Sequence, residues 1–422
     1  MSDYEDVANW RKTIEKYFEE NQKIDDEFYE RFFSKNAQLR FLINTKKDKL
    51  NPEETLLDAM IMNGLSGIDC RNLDFSRLSA RNYTKIAFDS QTQFPEEVKQ
   101  VFEHILERGK DFGFGLEKLL GEGKLSGEGI NVAVIDQDFD ESKIDKSDFN
   151  IVQHDSEVQE DCYHGITVVS LIASKSCGVA KGANIYFDQK TSAKHREEYE
   201  YYKSQQEQNK MSKEDFSKWR EANSLEVLKS KLQKIIDHNA TCEEKDKITV
   251  LSGSWRMEPT TEFEQCQQSL RAAGCELVCQ NNFIENFVEL VDDEVVLQFS
   301  EEEKSEFPEE ARKKLDQLKA DEKIKIPINR TYHQFGTNSE FKYQASFSNS
   351  WGIPQAAGLL ALYKAKDKSL TFEEFCTICR ETAKENGVIN PVGIYESVMK
   401  RVEKTNSDNN GLKLEDKDEE GR

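Results

Sequence analysis

The 422-residue sequence has no long apolar run, an outnumbered set of positive charges and no regular cysteine framework. Its longest apolar stretch, Ala356 to Tyr363, falls far short of the roughly 20 residues a membrane-spanning helix needs, so a membrane partner is not expected. Lys and Arg number 58 against 80 Asp and Glu, a net charge of -22, and most of such a surface would repel the phosphates of nucleic acid or anionic lipid. The acid excess is what solubility asks for. The first residues, MSDYEDVANWRKTIEKYFEEN, carry neither the basic start nor the apolar stretch of a secretory signal, and residence in the cytoplasm is the expectation. Nine cysteines, an odd number scattered along a large chain, do not suggest disulfides. Cys376 and Cys379 form a CxxC, but it lies in the helical pattern FEEFCTICRETA with no second pair at zinc-site spacing, and reads as two packing thiols.

What is present is a change of texture along the chain. Before about residue 110, Val7, Trp10, Ile14 and Phe18 recur at helical spacing, as do Val98, Val101, Phe102, Ile105 and Leu106. From Phe112 the glycine-bearing GFGLEKLLGEGKLSGEGI leads into an apolar strand, and strands then alternate with helices. Strands are expected at Asn131 to Ile135, Ala183 to Asp188, Ile248 to Ser252 and Glu276 to Cys279, with helices at about 164 to 174, 223 to 238 and 260 to 273. That alternation predicts an α/β fold, a doubly wound, mostly parallel sheet with helices on both faces, over about 111–405, after a helical region at 1–110. Two charged insertions, near 190–222 and 285–325, interrupt it as solvated excursions or as lids. Residues 406–422 lack apolar periodicity and read as a disordered acidic tail.

Four segments carry chemistry, in the order VAVIDQD, HGITVVSLIA, LVCQNN and SNSWGIPQAAGLLALY. Asp136 closes an apolar strand, which delivers its carboxylate to the carboxyl edge of a parallel sheet; Asp138 and Asp140 follow in the same loop but not directly after the apolar run. His164 opens a nearly continuous apolar helix. Cys162, two residues away, invites a Cys-His reading, but so near a neighbour would point away from the ring. Ser350 opens a helix with no charge before Lys364, which must lie in the interior, and Pro354 falls in its first turn, where a missing N–H is tolerated. A hydroxyl there needs an adjacent base, and the free N–H groups of the helix start favour developing negative charge. Asn282 ends LVCQNN and is the preferred carboxamide for an oxyanion site, with Asn281 as the competing assignment.

Together these segments resemble the subtilisin-like serine proteases, the subtilases. That family presents a catalytic Asp after a VAVID-type strand, a catalytic His in HGT, an oxyanion Asn ending AAGN and a catalytic Ser in GTSMASPHVAG, in the same order. The resemblance runs from about Gly115 to Tyr363, more weakly to about 405, and also takes in GVAKGANIYF and VLSGSW. It implies a triad of Asp136, His164 and Ser350, an oxyanion donor at Asn282, and a peptide-pairing edge at Ser252, Gly253 and Ser254. Departures are Ile166 for the family's Thr, Trp351 and Gly352 for the small residues after the serine, and Asn281 for the Gly before the oxyanion Asn. No run of ligands identifies the calcium sites common in the family, and no cofactor is expected.

The implied activity is hydrolysis of peptide bonds in a specific intracellular peptide or protein through an acyl-enzyme. The alternative is a catalytically silent fold of the same type, serving as a peptide-binding or regulatory module. The amino-terminal region is either a propeptide or a permanent helical domain that recruits substrate or a partner protein.

Overall fold

The computed structural model describes residues 71, 93–96, 99, 115–137, 139, 141, 144, 146–156, 164–175, 177–257, 259–291, 294–296, 322–327, 332–334, 341–343 and 349–419. The helices expected at 7–18 and 98–106, and Asp138, Asp140 and Cys162, lie outside them apart from Lys99, as does most of the second charged insertion. The chain divides into two compact units, Met1–Lys110 with Arg330–Ser346, and Asp111–Asn329 with Phe347–Arg422. Residues 330–346, which the sequence reading assigns to the α/β region, belong to the first unit.

In chain order the described elements begin with α1 (Leu116–Gly121), β1 (Asn131–Asp136), β2 (Ile151–Asp155), α2 (His164–Ala173), β3 (Asn184–Gln189), α3 (Ala193–Glu207) and α4 (Lys213–Thr241). There follow β4 (Ile248–Gly253), α5 (Thr261–Ala272), β5 (Glu276–Cys279), α6 (Gln280–Asn286), β6 (Phe287–Val291), β7 (Glu294–Val296) and β8 (Ile324–Pro327). In the first unit β9 (Tyr332–Gln334) pairs antiparallel with β10 (Phe341–Tyr343). The second unit ends with α7 (Asn349–Lys364), α8 (Phe372–Thr382) and α9 (Pro391–Glu419).

The main sheet has five strands in the order β2-β3-β1-β4-β5, all parallel. A central parallel strand is buried on both faces, which is why β1 reads as an apolar run rather than an alternation. Its side chains still point alternately to the two sides. Val132 and Val134 join the core formed with α2 and α7, whereas Ala133 and Ile135 join the core formed with α4 and α5. Helix α2 is buried from Gly165 to Ala173, and α7 is buried from Trp351 to Lys364, as its lack of charge requires. Gly358 lets them approach closely: a Cβ there would lie 2.9 Å from Cβ of Val179, just past α2.

Chain order reverses between β1 and β4, since β2 and β3 lie to one side of β1 and β4 and β5 to the other. Loops diverge at such a switch point and leave a crevice at the carboxyl ends of the two strands. Asp136 ends β1 and Gly253 ends β4, so both border it. A smaller sheet, β7-β6-β8, follows α6.

Three features of the fold go beyond the sequence patterns. LVCQNN is a strand only to Cys279, after which Gln280–Asn286 is helical. The polar segment IVQHD is a strand, laid on the outer side of β3, where an edge position frees it from the apolar pattern; Val152 is 55% exposed. Residues 406–419 continue α9 as helix and do not form a structureless tail. The first insertion is helical, divided between α3 and the start of α4, each begun by a serine cap: Ser192 accepts the His195 N–H, and Ser212 that of Asp215.

Candidate active site

The pleat of β1 sends Asp136 to the same face as Val132 and Val134, the face covered by α2 and α7. Asp136 is buried at 3% exposure, and its Oδ1 accepts the Gln137 N–H at 2.7 Å. His164 is the first residue of α2, and its Nδ1 lies 2.5 Å from the same Oδ1. An ionised carboxylate can only accept, so the imidazole proton sits on Nδ1 and Nε2 keeps its lone pair. Burial of the ring works against a charged imidazole. The charge and hydrogen bond of Asp136 outweigh it, so the titration of His164 is raised above the usual histidine value, while Lys190 opposes the rise.

Ser350 is the second residue of α7, half-buried, and its carbonyl accepts a hydrogen bond from the Ser254 hydroxyl at 3.0 Å. The next residue, Trp351, lays its indole against the imidazole of His164, with ring centroids 5.0 Å apart and planes at 36°. Asp136, His164 and the head of α7 are therefore assembled from three distant segments into one cluster. The indole, one of the departures from the family pattern, backs the imidazole ring.

The carboxamides fare differently from the expectation. Asn282 is the third residue of α6, where its Oδ1 accepts the Cys279 N–H at 2.9 Å and its Nδ2 donates to the Leu277 carbonyl at 2.6 Å. Cys279 returns the favour by accepting the Asn282 N–H on its thiol, a reciprocal cap of the kind that Ser or Thr with Glu forms elsewhere. Asn281 is also engaged, with Nδ2 donating to the Met257 carbonyl at 2.7 Å and Oδ1 accepting the Met257 N–H at 3.1 Å. Both asparagines thus hold backbone. Gln280, directly after β5, is half-buried, and among the described residues its carboxamide has no hydrogen-bond partner.

The proposed peptide-pairing edge is likewise altered. Ser252 lies opposite Val134 on β1 and Val278 on β5, which makes it sheet interior rather than edge, and Gly253 lies opposite Cys279 on β5. Ser252 is fully buried, and among the described residues its hydroxyl has no hydrogen-bond partner. Past Gly253 the chain turns sharply, with the Trp255 N–H donating to the Gly253 carbonyl at 2.7 Å and the Trp255 indole N–H to the Ile135 carbonyl at 3.0 Å. Only Ser254 stands at the rim.

Sequence reasoning missed Lys190. It directly follows β3, whose last residue Gln189 is in register with Asp136, and its N–H donates to the Asp136 carbonyl at 2.6 Å. Burial pushes its ammonium below the usual lysine range, with the Asp136 charge pulling back. The signal was its place at a strand end beside β1, visible only once strand order is known. Cys376 and Cys379 lie on the buried face of α8, with burial pushing the Cys376 thiol up to about 12. Among the described residues no group of three or more His, Cys, Asp or Glu could hold a metal ion, and no helix is long and apolar enough to cross a membrane.

No protein-family model and no curated protein matches the chain. Among solved structures it is similar to the periplasmic assembly of the ESX-5 inner membrane complex, at 12% identity and a TM-score of 0.45, covering 68% of this chain and 83% of that one. It is similar to the self-cleaved protease domain of PatA at 13% identity and a TM-score of 0.42, over 65% of this chain and 98% of that one. It is also similar to a cold-adapted subtilisin-like serine proteinase at 14% identity and a TM-score of 0.37, over 62% of this chain and 85% of that one. The structural neighbours thus include subtilisin-like proteases, all at low identity.

Proposed function

We propose that this protein is a subtilisin-like serine endopeptidase. The observation that carries the reading is the 2.5 Å contact between Asp136 Oδ1 and His164 Nδ1, next to a buried helix that opens on Ser350 and stacks Trp351 on the same imidazole. In this reading the Nε2 lone pair of His164 takes the Ser350 proton as Oγ attacks the peptide carbonyl carbon. Asp136 keeps the proton on Nδ1 and stabilises the imidazolium, which then passes its proton to the leaving amine. Water repeats the sequence on the acyl-enzyme, releasing the acid and restoring Ser350. Backbone N–H groups at the head of α7 supply one side of the oxyanion site, and Gln280 replaces Asn282 as the carboxamide donor, because the amides of Asn281 and Asn282 are engaged with backbone.

The substrate is a peptide or protein, and the acyl-enzyme gives a direct test. A fluorophosphonate probe is expected to label the full-length chain at Ser350, and Ser350→Ala to abolish the labelling. Undiminished labelling of that variant would overturn the assignment. A second reading, a silent peptide-binding module, draws on Trp351, whose indole packs against the imidazole that must turn over protons. It prevails if the wild type neither labels nor cleaves a diverse peptide library.

A further inference from the structure

One buried acid lies outside the proposed triad and close to it. Glu289, in the middle of β6, is only 3% exposed, and among the described residues its Oε1 has no hydrogen-bond partner. It shares a face of β6 with Phe287, whose ring stacks on Phe283 at 5.3 Å and borders Phe372 and Phe375. The carboxyl lies against the backbone of Gly352, two residues after Ser350, and the Gly352 N–H draws its titration down. A Cβ on Gly352 would lie 2.5 Å from Cζ of Phe283 and 2.9 Å from Oε1 of Glu289. Glycine at 352 is therefore what allows the carboxyl to touch the first turn of α7. Two other buried charged groups are engaged: Lys364 donates to the Lys368 and Leu370 carbonyls, and Glu276 accepts the Phe372 N–H.

A buried carboxyl with an open oxygen is an expensive way to fill space that Met or Gln would fill, so its placement calls for a role. Its surroundings leave it uncharged at neutral pH. Burial pushes the carboxyl up to about 8, with the Gly352 N–H pulling the other way. Its sheet partners are Val296 and Ile326. Among the described side chains, the charged residues Glu285 on α6, Lys325 on β8 and Lys364 at the far end of α7 do not contribute to its ionisation. The head of α7 is also where the proposed reaction develops negative charge, on N–H groups of the same helix turn.

We propose that Glu289 is a positioning residue for Ser350: as a neutral acid it anchors the first turn of α7 through the Gly352 N–H, and as a carboxylate it competes with the oxyanion for that turn. The inference rests on the serine-protease reading above. Two negative charges cannot share one set of helix-end donors, so reaction at Ser350 fades as Glu289 ionises.

The test is the pH dependence of fluorophosphonate labelling in the full-length wild type and in Glu289→Gln, which keeps shape and acceptor but cannot ionise. The labelling rate of the wild type, after allowing for His164, is expected to fall roughly tenfold per unit well above the Glu289 titration, and that of Glu289→Gln to level off. Parallel profiles with both proteins labelled overturn the proposal alone. No labelling of either protein at any pH overturns the serine-protease reading, and this inference with it.

A second measurement does not use the variant's fold or its activity. In Ser350→Ala protein, infrared difference spectra should show a protonated carboxyl band that disappears as pH rises through about 8. Its absence at neutral pH overturns the proposal even if Glu289→Gln does not fold. The linkage has a matching sign. The folded chain holds a proton that the unfolded one loses near the usual 4.5, so the contribution to stability is complete below that value and is lost as pH rises towards about 8.

Discussion

Two buried ion pairs lie on opposite faces of one sheet, at neighbouring strand ends. On the α2/α7 face Asp136 of β1 meets His164 at 2.5 Å, and on the α4 face Asp188 of β3 meets Lys231 at 2.5 Å. The second pair extends into a network, because Lys234 bridges Asp188 at 3.3 Å and Asp155 at 2.9 Å. Charge and burial are alike in the two places, and the chemistry is not. An ammonium offers three donors and no lone pair at neutral pH, so Lys231 can only bind. An imidazole fixed through Nδ1 still presents Nε2, and it titrates near neutrality. What separates a brace from a candidate site is the residue type opposite the carboxylate, and whether a nucleophile stands beside it. On the first face Ser350 opens a helix next to the ring, and on the other the cover is the flank of α4.

The sharpest way to break this comparison is to remove each basic partner's role in turn. His164→Ala is expected to lower the fluorophosphonate labelling rate by at least about 10⁴-fold in the folded protein. Asp188→Ala, which strands Lys231 in the interior, should instead destabilise the fold by about 3 kcal/mol in denaturant unfolding, with labelling retained in the folded fraction. If His164→Ala loses stability and keeps labelling, the two pairs are equivalent braces. Next in size, Gln280→Ala should slow labelling by about 10²- to 10³-fold, and Asn282→Ala should act on stability first, because its amide caps α6.

The smallest effect concerns Trp351. A cation beside an indole face gains about 0.5–1 kcal/mol, so Trp351→Leu should move the acid limb of the labelling profile to lower pH by a few tenths of a unit. The direction follows from the raised titration of His164: removing a group that favours the imidazolium lowers that titration and frees the base at lower pH. For the same reason the stabilisation that His164 gains from Asp136 is complete below the ordinary histidine value near 6.5 and is lost as pH rises through the higher folded value. A shift to higher pH in Trp351→Leu would show that the indole acts by desolvating the ring.

Much of the α/β unit was legible because burial on both faces writes itself as uninterrupted apolar sequence. The strands at Asn131, Asn184, Ile248 and Glu276, and the helices opened by His164 and Ser350, all announce themselves in that way. β2 escaped because an edge strand needs apolar residues on neither side in full. α6 escaped because its start depends on Cys279 and Asn282 satisfying one another's backbone, a reciprocity that no run of apolar residues encodes. The engagement of Asn282 with backbone follows from the same reciprocity: a residue at a strand end faces the crevice, whereas the same residue one turn into a helix caps it.

By itself, then, the sequence determined the α/β alternation, the polar residue closing each apolar segment and the order in which Asp136, His164 and Ser350 occur, since hydrophobic burial and helix and strand periods are local in the chain. Only the tertiary structure decided which of these groups meet. Strand order set Asp136 beside the switch point, the pleat chose its face, and packing of α7 against α2 laid Trp351 on the imidazole. It also carried Glu289, 63 positions before Gly352 in the chain, to the backbone of that glycine, because contacts between distant segments depend on crossings and registers that one-dimensional patterns do not contain.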